Sequence, residues 1–296
     1  MFLLRRRCSS IKQFRSVIRH FSTPKLTDHD IETYQQDGVV CLRGVFDDKW
    51  VKMAHEGVKK NLQNPSEYCD WIVDEKGKGL FFNDYYNYEK ITEFHEYVTK
   101  SPAAELAGRL MKSTNAVLFH EHVFFKEKGS GKETPWHHDF TYYPLEGFQN
   151  CSLWMPTSHV RKQSCVKFIR GSHLWSKCFI PVKFESESNY SVVDQTLMDG
   201  MCDIKEFLCD VQEGDVLQWD VQPGDCIAFH MKCVHGTEAS VNPEDRVVMA
   251  TRWLGDDMIY ARRPWEASPP TQLLPTDLKI GDRIAENNGF LIPWKK

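Results

Sequence analysis

Three short stretches of this sequence hold residues able to do chemistry together: Thr134-Pro135-Trp136-His137-His138-Asp139-Phe140, Phe229-His230-Met231-Lys232-Cys233-Val234-His235-Gly236-Thr237, and Asp245-Arg246. On an extended strand, residues i and i+2 share a face, so His137 and Asp139 converge while His138 turns away. A histidine from the second stretch would complete two neutral imidazoles and one carboxylate, the facial set of non-haem Fe(II) oxygenases. That set leaves three coordination positions open, room for a bidentate 2-oxo acid and for O2. The same donors also suit a hydrolytic zinc with a bound water. An H-x-D pair is weak by itself, because a chain with this histidine and aspartate usage yields about one by chance.

The elements that must position these residues are legible in outline. Thr27 and Asp30 form a near capping box, and Gly38 closes a short helix with Ile31 and Tyr34 inward. Val39–Leu42 reads as a buried strand. Asp47 or Asp48 caps a second helix whose stripe, Val51, Ala54, Val58 and Leu62, runs to Pro65. Ser101-Pro102 opens another helix with Leu106 and Leu110 inward. From Ala116 the pattern changes to short β-branched and aromatic runs: Ala116–Lys126, Cys151–Pro156, Cys165–Ile169, Val216–Trp219, Cys226–His230 and Arg246–Leu254. Arg170-Gly171-Ser172 and Pro223-Gly224-Asp225 supply turns. Helices followed by many short strands predict an α+β chain with a sandwich or barrel core.

Composition narrows the classes. The chain has 296 residues, 41% apolar and 26% charged, as in ordinary globular proteins, and no apolar run reaches the ~18 residues of a membrane span. A net charge of −4 argues against nucleic acid as a partner and leaves a small molecule as the expected one. Ten cysteines without a C-x-x-C pair read as reduced, structural thiols. Residues 1–27 carry seven basic residues and no acid, which leaves the remainder at −11. This stretch is amphipathic and arginine-rich, and it reads as a mitochondrial presequence with processing near Arg19-His20-Phe21-Ser22. The expected localisation is the mitochondrial matrix; a disordered basic arm on a cytoplasmic protein is the alternative. Residues 28–296 then form a single domain.

Together, P-W-H-H-D at 135–139, Phe168-Ile169-Arg170-Gly171-Ser172-His173, and the stretch from Gly224-Asp225 to Trp253-Leu254-Gly255-Asp256-Asp257 resemble the phytanoyl-CoA dioxygenase family of Fe(II)- and 2-oxoglutarate-dependent oxygenases. The resemblance spans nearly all of residues 27–256. It implies a mainly β fold with flanking helices around a double-stranded β-helix (jelly-roll, cupin-like) core. It implies His137, Asp139 and His235 as iron ligands, and Arg246, eleven residues after His235, as the partner of the 2-oxoglutarate C5 carboxylate. Thr237 stands where the family often has a Ser or Thr on that carboxylate, and Lys126 and Trp154 match positions that can line the cosubstrate pocket. The implied reaction is hydroxylation of a small molecule, an acyl-CoA being one candidate, with release of succinate and CO2. His138 departs from the family's usual Gln, which puts any contact of that side chain in doubt.

Simpler readings stand beside these. His120, His122, His159 and His173 read as structural or surface residues. Trp136, Phe140, Tyr142 and Tyr143 read as packing and pocket-wall aromatics. Arg161, Lys162, Lys167, Arg170 and Lys177 form a basic stretch that could meet an anionic substrate such as an acyl-CoA, and that otherwise reads as solvated charge. A zinc hydrolase has no need of a guanidinium at Arg246. A jelly-roll binding protein without turnover has no need of an intact His/Asp/His set.

Overall fold

The computed structural model describes residues 26–73, 80–184, 186–238 and 244–296; the expected presequence lies almost wholly outside them. The opening helix, Asp28–Asp37, is held at its start by a reciprocal Thr27–Asp30 capping box and stopped by Gly38 at φ 77°. Only glycine serves at that stop. A Cβ there would meet the His173 ring at 2.3 Å, besides straining a left-handed backbone. Helices Asp48–Gln63, Thr92–Lys100 and Ala103–Leu110 follow, the first capped by the Asp47 side chain.

Two sheets make the core. The large one runs in the order Val39–Leu42, Cys226–Phe229, Asn150–Pro156, Arg246–Leu254, Asn115–Lys126, Leu80–Tyr85, Asp70–Val73, with Leu291–Lys295 pairing on Asn115–Lys126. The smaller one runs Val216–Leu217, Lys167–Ile169, His235–Thr237, Thr134–His137. With helices covering one face of the large sheet and the small sheet closing a cavity against the other, this is the expected jelly-roll core.

Period-2 alternation along Arg246–Leu254 separates two environments. Val247, Met249 and Trp253 pack outward under the helices, in one cluster with Ala54, Val58, Phe94 and Leu106. Arg246, Val248, Ala250 and Arg252 share the opposite face. The partner strand Asn115–Lys126 carries a bulge: Arg252 pairs with His120 but Trp253 pairs with Leu118, so Phe119 is the extra residue. Leu118 therefore faces the helical layer, whereas His120, His122 and Phe124 face the cavity. Each Leu, Phe or Met side chain buried on the outer face contributes about 1.5–3 kcal/mol.

Several sequence expectations shift in detail. The strand Cys165–Ile169 is ordered as a strand only over Lys167–Ile169, and Val216–Trp219 only over Val216–Leu217. The Asp70–Val73/Leu80–Tyr85 pair and the C-terminal strand Leu291–Lys295 add to the expected set.

Candidate active site

His137 and His235 are directly opposed residues of the antiparallel pair Thr134–His137 and His235–Thr237, which brings their ring centroids to 4.3 Å. Gly236 permits the approach, since a Cβ there would lie 3.0 Å from the Thr134 carbonyl. Asp139 does not continue the strand; it opens a short 3-10 turn, Asp139–Tyr142. His138 between them remains extended (φ −125°, ψ 144°), so the alternation expected of a strand still carries Asp139 to the side of His137.

The ligand-type atoms of His137, Asp139 and His235 lie within 4.8 Å of one another, and all three residues are buried. Asp139 Oδ1 is 3.6 Å from each Nε2. Both rings are fixed from behind: Nδ1–H of His137 donates to the Pro135 carbonyl at 2.8 Å and Nδ1–H of His235 to the Cys233 carbonyl at 2.9 Å. A carbonyl only accepts, so both tautomers leave Nε2 bare and aimed inward. Burial, with His137 adjacent, pushes His235 down to about 3, which keeps it neutral and able to ligate.

Asp139 is held by Arg252, a residue to which nothing in the sequence assigned a role. Arg252 Nε sits 3.0 Å from Asp139 Oδ2 and also donates to the Tyr143 hydroxyl at 3.0 Å; the Ser152 hydroxyl donates to Oδ2 at 3.5 Å. Burial alone would raise the carboxyl, but Arg252 and the two histidines hold it well below the usual carboxylate range. One oxygen is thereby fixed and the other left facing the histidines. Two bare imidazole nitrogens and one oriented carboxylate oxygen fit a divalent metal with open positions.

Arg246, at the start of the same strand, is also buried. Its Nη1 donates to the Ser164 carbonyl at 2.8 Å, its Cζ lies 5.9 Å from the Trp154 ring centroid, and its Nε has no hydrogen-bond partner among the described residues. Among the described residues no carboxylate pairs with it. Burial pulls it down to about 10. A guanidinium in this state, opening on a cavity, fits an anion supplied from outside. Thr237 lines the same cavity and accepts from the Thr134 N–H at 2.9 Å.

The cavity of about 610 Å³ joins these groups, with Trp154, Phe124, Val166 and Phe229 among its walls. Of the candidates from sequence, His137, Asp139, His235, Arg246, Thr237 and Trp154 all line it. Lys126 does not come to it: Nζ donates to the Lys132 carbonyl at 2.5 Å, 5.2 Å from the Phe81 ring centroid, because its register partner Arg246 occupies the cavity end of that row. His138 points away and accepts from the Phe179 N–H at 3.2 Å. His230 is consumed structurally: Nε2–H donates to the Phe148 carbonyl at 2.8 Å and Nδ1 accepts from the Lys232 N–H at 3.0 Å. His120 and His122, read from sequence as structural, both line the cavity.

A jelly roll with a buried His/Asp/His set and an anion-receptive arginine in one cavity defines a cupin-like oxygenase class. Residues 34–248, well over half the chain, match the family described as phytanoyl-CoA dioxygenase (PhyH), and the chain belongs to that family. Among solved structures it is similar to the non-heme alpha ketoglutarate dependent carbocyclase SnoK from nogalamycin biosynthesis, with TM-score 0.69, 19% identity, and coverage of 92% of this chain and 99% of that one. The epimerase SnoN, in complex with Fe3+, alpha ketoglutarate and nogalamycin RO, gives TM-score 0.65 at 19% identity over 90% and 98% of the two chains. EctD from S. alaskensis, with 2-oxoglutarate and 5-hydroxyectoine, gives 0.59 at 16% identity over 80% and 79%. At these identities the likeness is one of fold. No curated protein matches the sequence.

Proposed function

We propose that this protein is an Fe(II)- and 2-oxoglutarate-dependent dioxygenase that hydroxylates a small molecule. The observation that carries the reading is Arg246: a buried guanidinium with no carboxylate partner among the described residues, in the same cavity as the metal-type triad. A hydrolytic zinc site would leave that charge without a purpose. Family membership and the fold of the neighbours support the same reading.

His137 Nε2, His235 Nε2 and Asp139 Oδ1 would hold the iron. Arg246 would take the far carboxylate of 2-oxoglutarate through its two parallel donors, with Thr237 beside it and Trp154 forming the wall. When bound, iron, 2-oxoglutarate and O2 supply the chemistry that converts a substrate C–H into C–OH while the 2-oxo acid leaves as succinate and CO2. The chain's own contribution is orientation and exclusion of water. Arg252 fixes Asp139, backbone carbonyls fix both imidazoles, and Phe184 packs at 4.7 Å on the His137 ring. Among the described residues no helix is long and apolar enough to cross a membrane. The acid-free residues 1–27 support a matrix location as a further part of this proposal; a fusion carrying them alone should enter mitochondria and be shortened.

The test is anaerobic. Purified protein with Fe(II) should develop a weak visible charge-transfer band on addition of 2-oxoglutarate, and Asp139→Ala should not. Catalysed hydrolysis with zinc, and no band with iron, would turn the assignment to a hydrolase.

A further inference from the structure

The cavity has two walls of different chemistry. Near Arg246 it is closed by Trp154, Val166 and Phe124; towards the strands Asp70–Val73 and Leu80–Tyr85 the polar groups Asp70, Asn83, Tyr85 and His122 stand among Trp71, Ile72 and Phe81. A chain of hydrogen bonds runs along this second wall. Asn83 is the register partner of Asp70 and donates from Nδ2 to Asp70 Oδ2 at 3.5 Å. Its Oδ1 then faces the imidazole and accepts from His122 Nε2–H at 3.1 Å. An amide whose NH2 group is turned to a carboxylate presents its oxygen to the ring, so His122 carries its proton on Nε2 and Nδ1 keeps a bare lone pair. Burial, with Arg252 and His120 alongside, holds His122 far below the ordinary histidine range and therefore neutral.

His122 is the register partner of Ala250, two residues from the Arg252 that holds Asp139, so this acceptor lies on the strand next to the one that carries Arg252. Its side chain is half-buried and open to the cavity. Ionised 2-oxoglutarate, with two carboxylates and a ketone, offers only acceptors and has nothing to give a bare Nδ1. The lone pair is left for the other occupant.

We propose that the Asp70–Asn83–His122 wall is the recognition site for a hydrogen-bond-donating group, a hydroxyl or an amine, on the primary substrate, with His122 Nδ1 as the acceptor. The substrate is then a compact polar molecule and not a long acyl chain. This rests on the oxygenase reading, and it selects among the substrates that reading allows. The cavity of about 610 Å³ has to hold the cosubstrate as well, within the 300–1,000 Å³ usual for ligand pockets, which also favours a small partner.

The experiment is nitrogen-15 NMR on histidine-labelled full-length protein loaded with diamagnetic Zn(II) in place of iron and with 2-oxoglutarate. The His122 signals are assigned by their loss in His122→Phe. Before any fragment is added, Nδ1 should resonate as an unprotonated nitrogen and Nε2 as a protonated one. Ethylene glycol and ethylamine, probing the hydroxyl and amine sources separately, should move Nδ1 upfield, at least one of them saturably; acetate should not. Asn83→Leu should weaken that response at least threefold and leave the 2-oxoglutarate dissociation constant unchanged, which a merely structural asparagine would not do. With iron, octanoyl-CoA should not raise succinate release. A protonated Nδ1, a response to acetate alone, no response to any fragment, or stimulation by octanoyl-CoA would overturn the proposal. Failure of the loaded protein to bind 2-oxoglutarate would instead count against the oxygenase reading itself, so the two failures are separable. Should Asn83→Leu not fold, the wild-type titration still decides; should His122→Phe not fold, the octanoyl-CoA measurement does.

Discussion

Arg246 and Arg252 stand six residues apart on the same face of one strand, both buried, yet they occupy opposite electrostatic situations. Arg252 is paired: Asp139 lies at 3.0 Å and the Tyr143 hydroxyl at 3.0 Å, and although burial opposes its charge, these partners raise it above the ordinary arginine value. Arg246 has a backbone carbonyl and an aromatic face but no anion among the described residues, and burial lowers it to about 10. A third buried charge lies on the neighbouring strand, facing the other way. Glu121 accepts from the Asn87 N–H through Oε1, its Oε2 has no hydrogen-bond partner among the described residues, and burial pushes it up to about 8. An acid can answer an unpaired burial by keeping its proton. An arginine at working pH cannot, so its field persists until an anion arrives. One end of the strand is thus internally neutralised, and the other is left charged.

The largest expected effect comes from breaking the pair. Arg252→Met strands the Asp139 carboxylate in the interior, a change that costs about 3–5 kcal/mol when one member of a buried pair is removed. Denaturant unfolding should show that loss, and Fe(II) affinity should fall with it because Oδ1 is no longer oriented. A variant of near wild-type stability would mean that Ser152 and the histidines suffice to hold the carboxylate.

At the open end the sign reverses: removing Arg246 should relieve an unpaired charge, so Arg246→Met should be close to neutral for the stability of the ligand-free protein. Succinate in excess should raise the melting temperature of the wild type through binding to the folded state and leave Arg246→Met unmoved. Arg246→Lys should respond weakly, since a point charge lacks the two-donor fork. An equal succinate response in all three would place the anion elsewhere.

Glu121 sharpens the comparison through pH. Its folded value, about 8, lies above the usual ~4.3, so between those limits the unfolded chain releases the proton while the fold retains it. Its contribution is therefore greatest below pH ~4.3 and declines through neutral pH at up to about 1.4 kcal/mol per unit, levelling above pH 8. Glu121→Gln should flatten that part of the stability profile. An unchanged slope would show that the carboxylate finds a partner.

The smallest effect belongs to His138→Gln. His138 lies off the metal, accepts from the Phe179 N–H and bonds the Lys232 backbone; each such bond is worth about 0.5–1.5 kcal/mol, and a glutamine amide can both accept and donate in its place. Stability should change little and the iron and 2-oxoglutarate band should persist; loss of the band would mean that the side of the chain facing the metal has been misassigned.

The sequence made much of this readable where a local rule was sufficient. The Thr27–Asp30 box and Gly38 mark a helix because capping is a matter of three or four neighbouring residues. The H-x-D spacing brings His137 and Asp139 together even though Asp139 leaves the strand, because the intervening His138 stays extended. What depends on long-range register was not readable. Alternation along Asn115–Lys126 is reversed by the Phe119 bulge, so nothing local says that His120 and His122 face the cavity while Leu118 faces the helices. Arg252 takes its role from Asp139, more than a hundred residues away, and Lys126 loses the cavity to its register partner Arg246. The C-terminal strand Leu291–Lys295 contains Pro293, which speaks against a strand in a sequence reading and is tolerated at a sheet edge.

The central claim is that one cavity uses the triad for iron and Arg246 for the cosubstrate. Calorimetric titration of 2-oxoglutarate into anaerobic, Fe(II)-loaded protein tests it most directly, comparing the wild type with Arg246→Met. Charge-assisted hydrogen bonds are worth about 1.5–3 kcal/mol, so the dissociation constant should rise roughly 10- to 150-fold in the variant, with Fe(II) affinity unchanged. An unchanged 2-oxoglutarate constant, or loss of iron together with Arg246, would contradict the account.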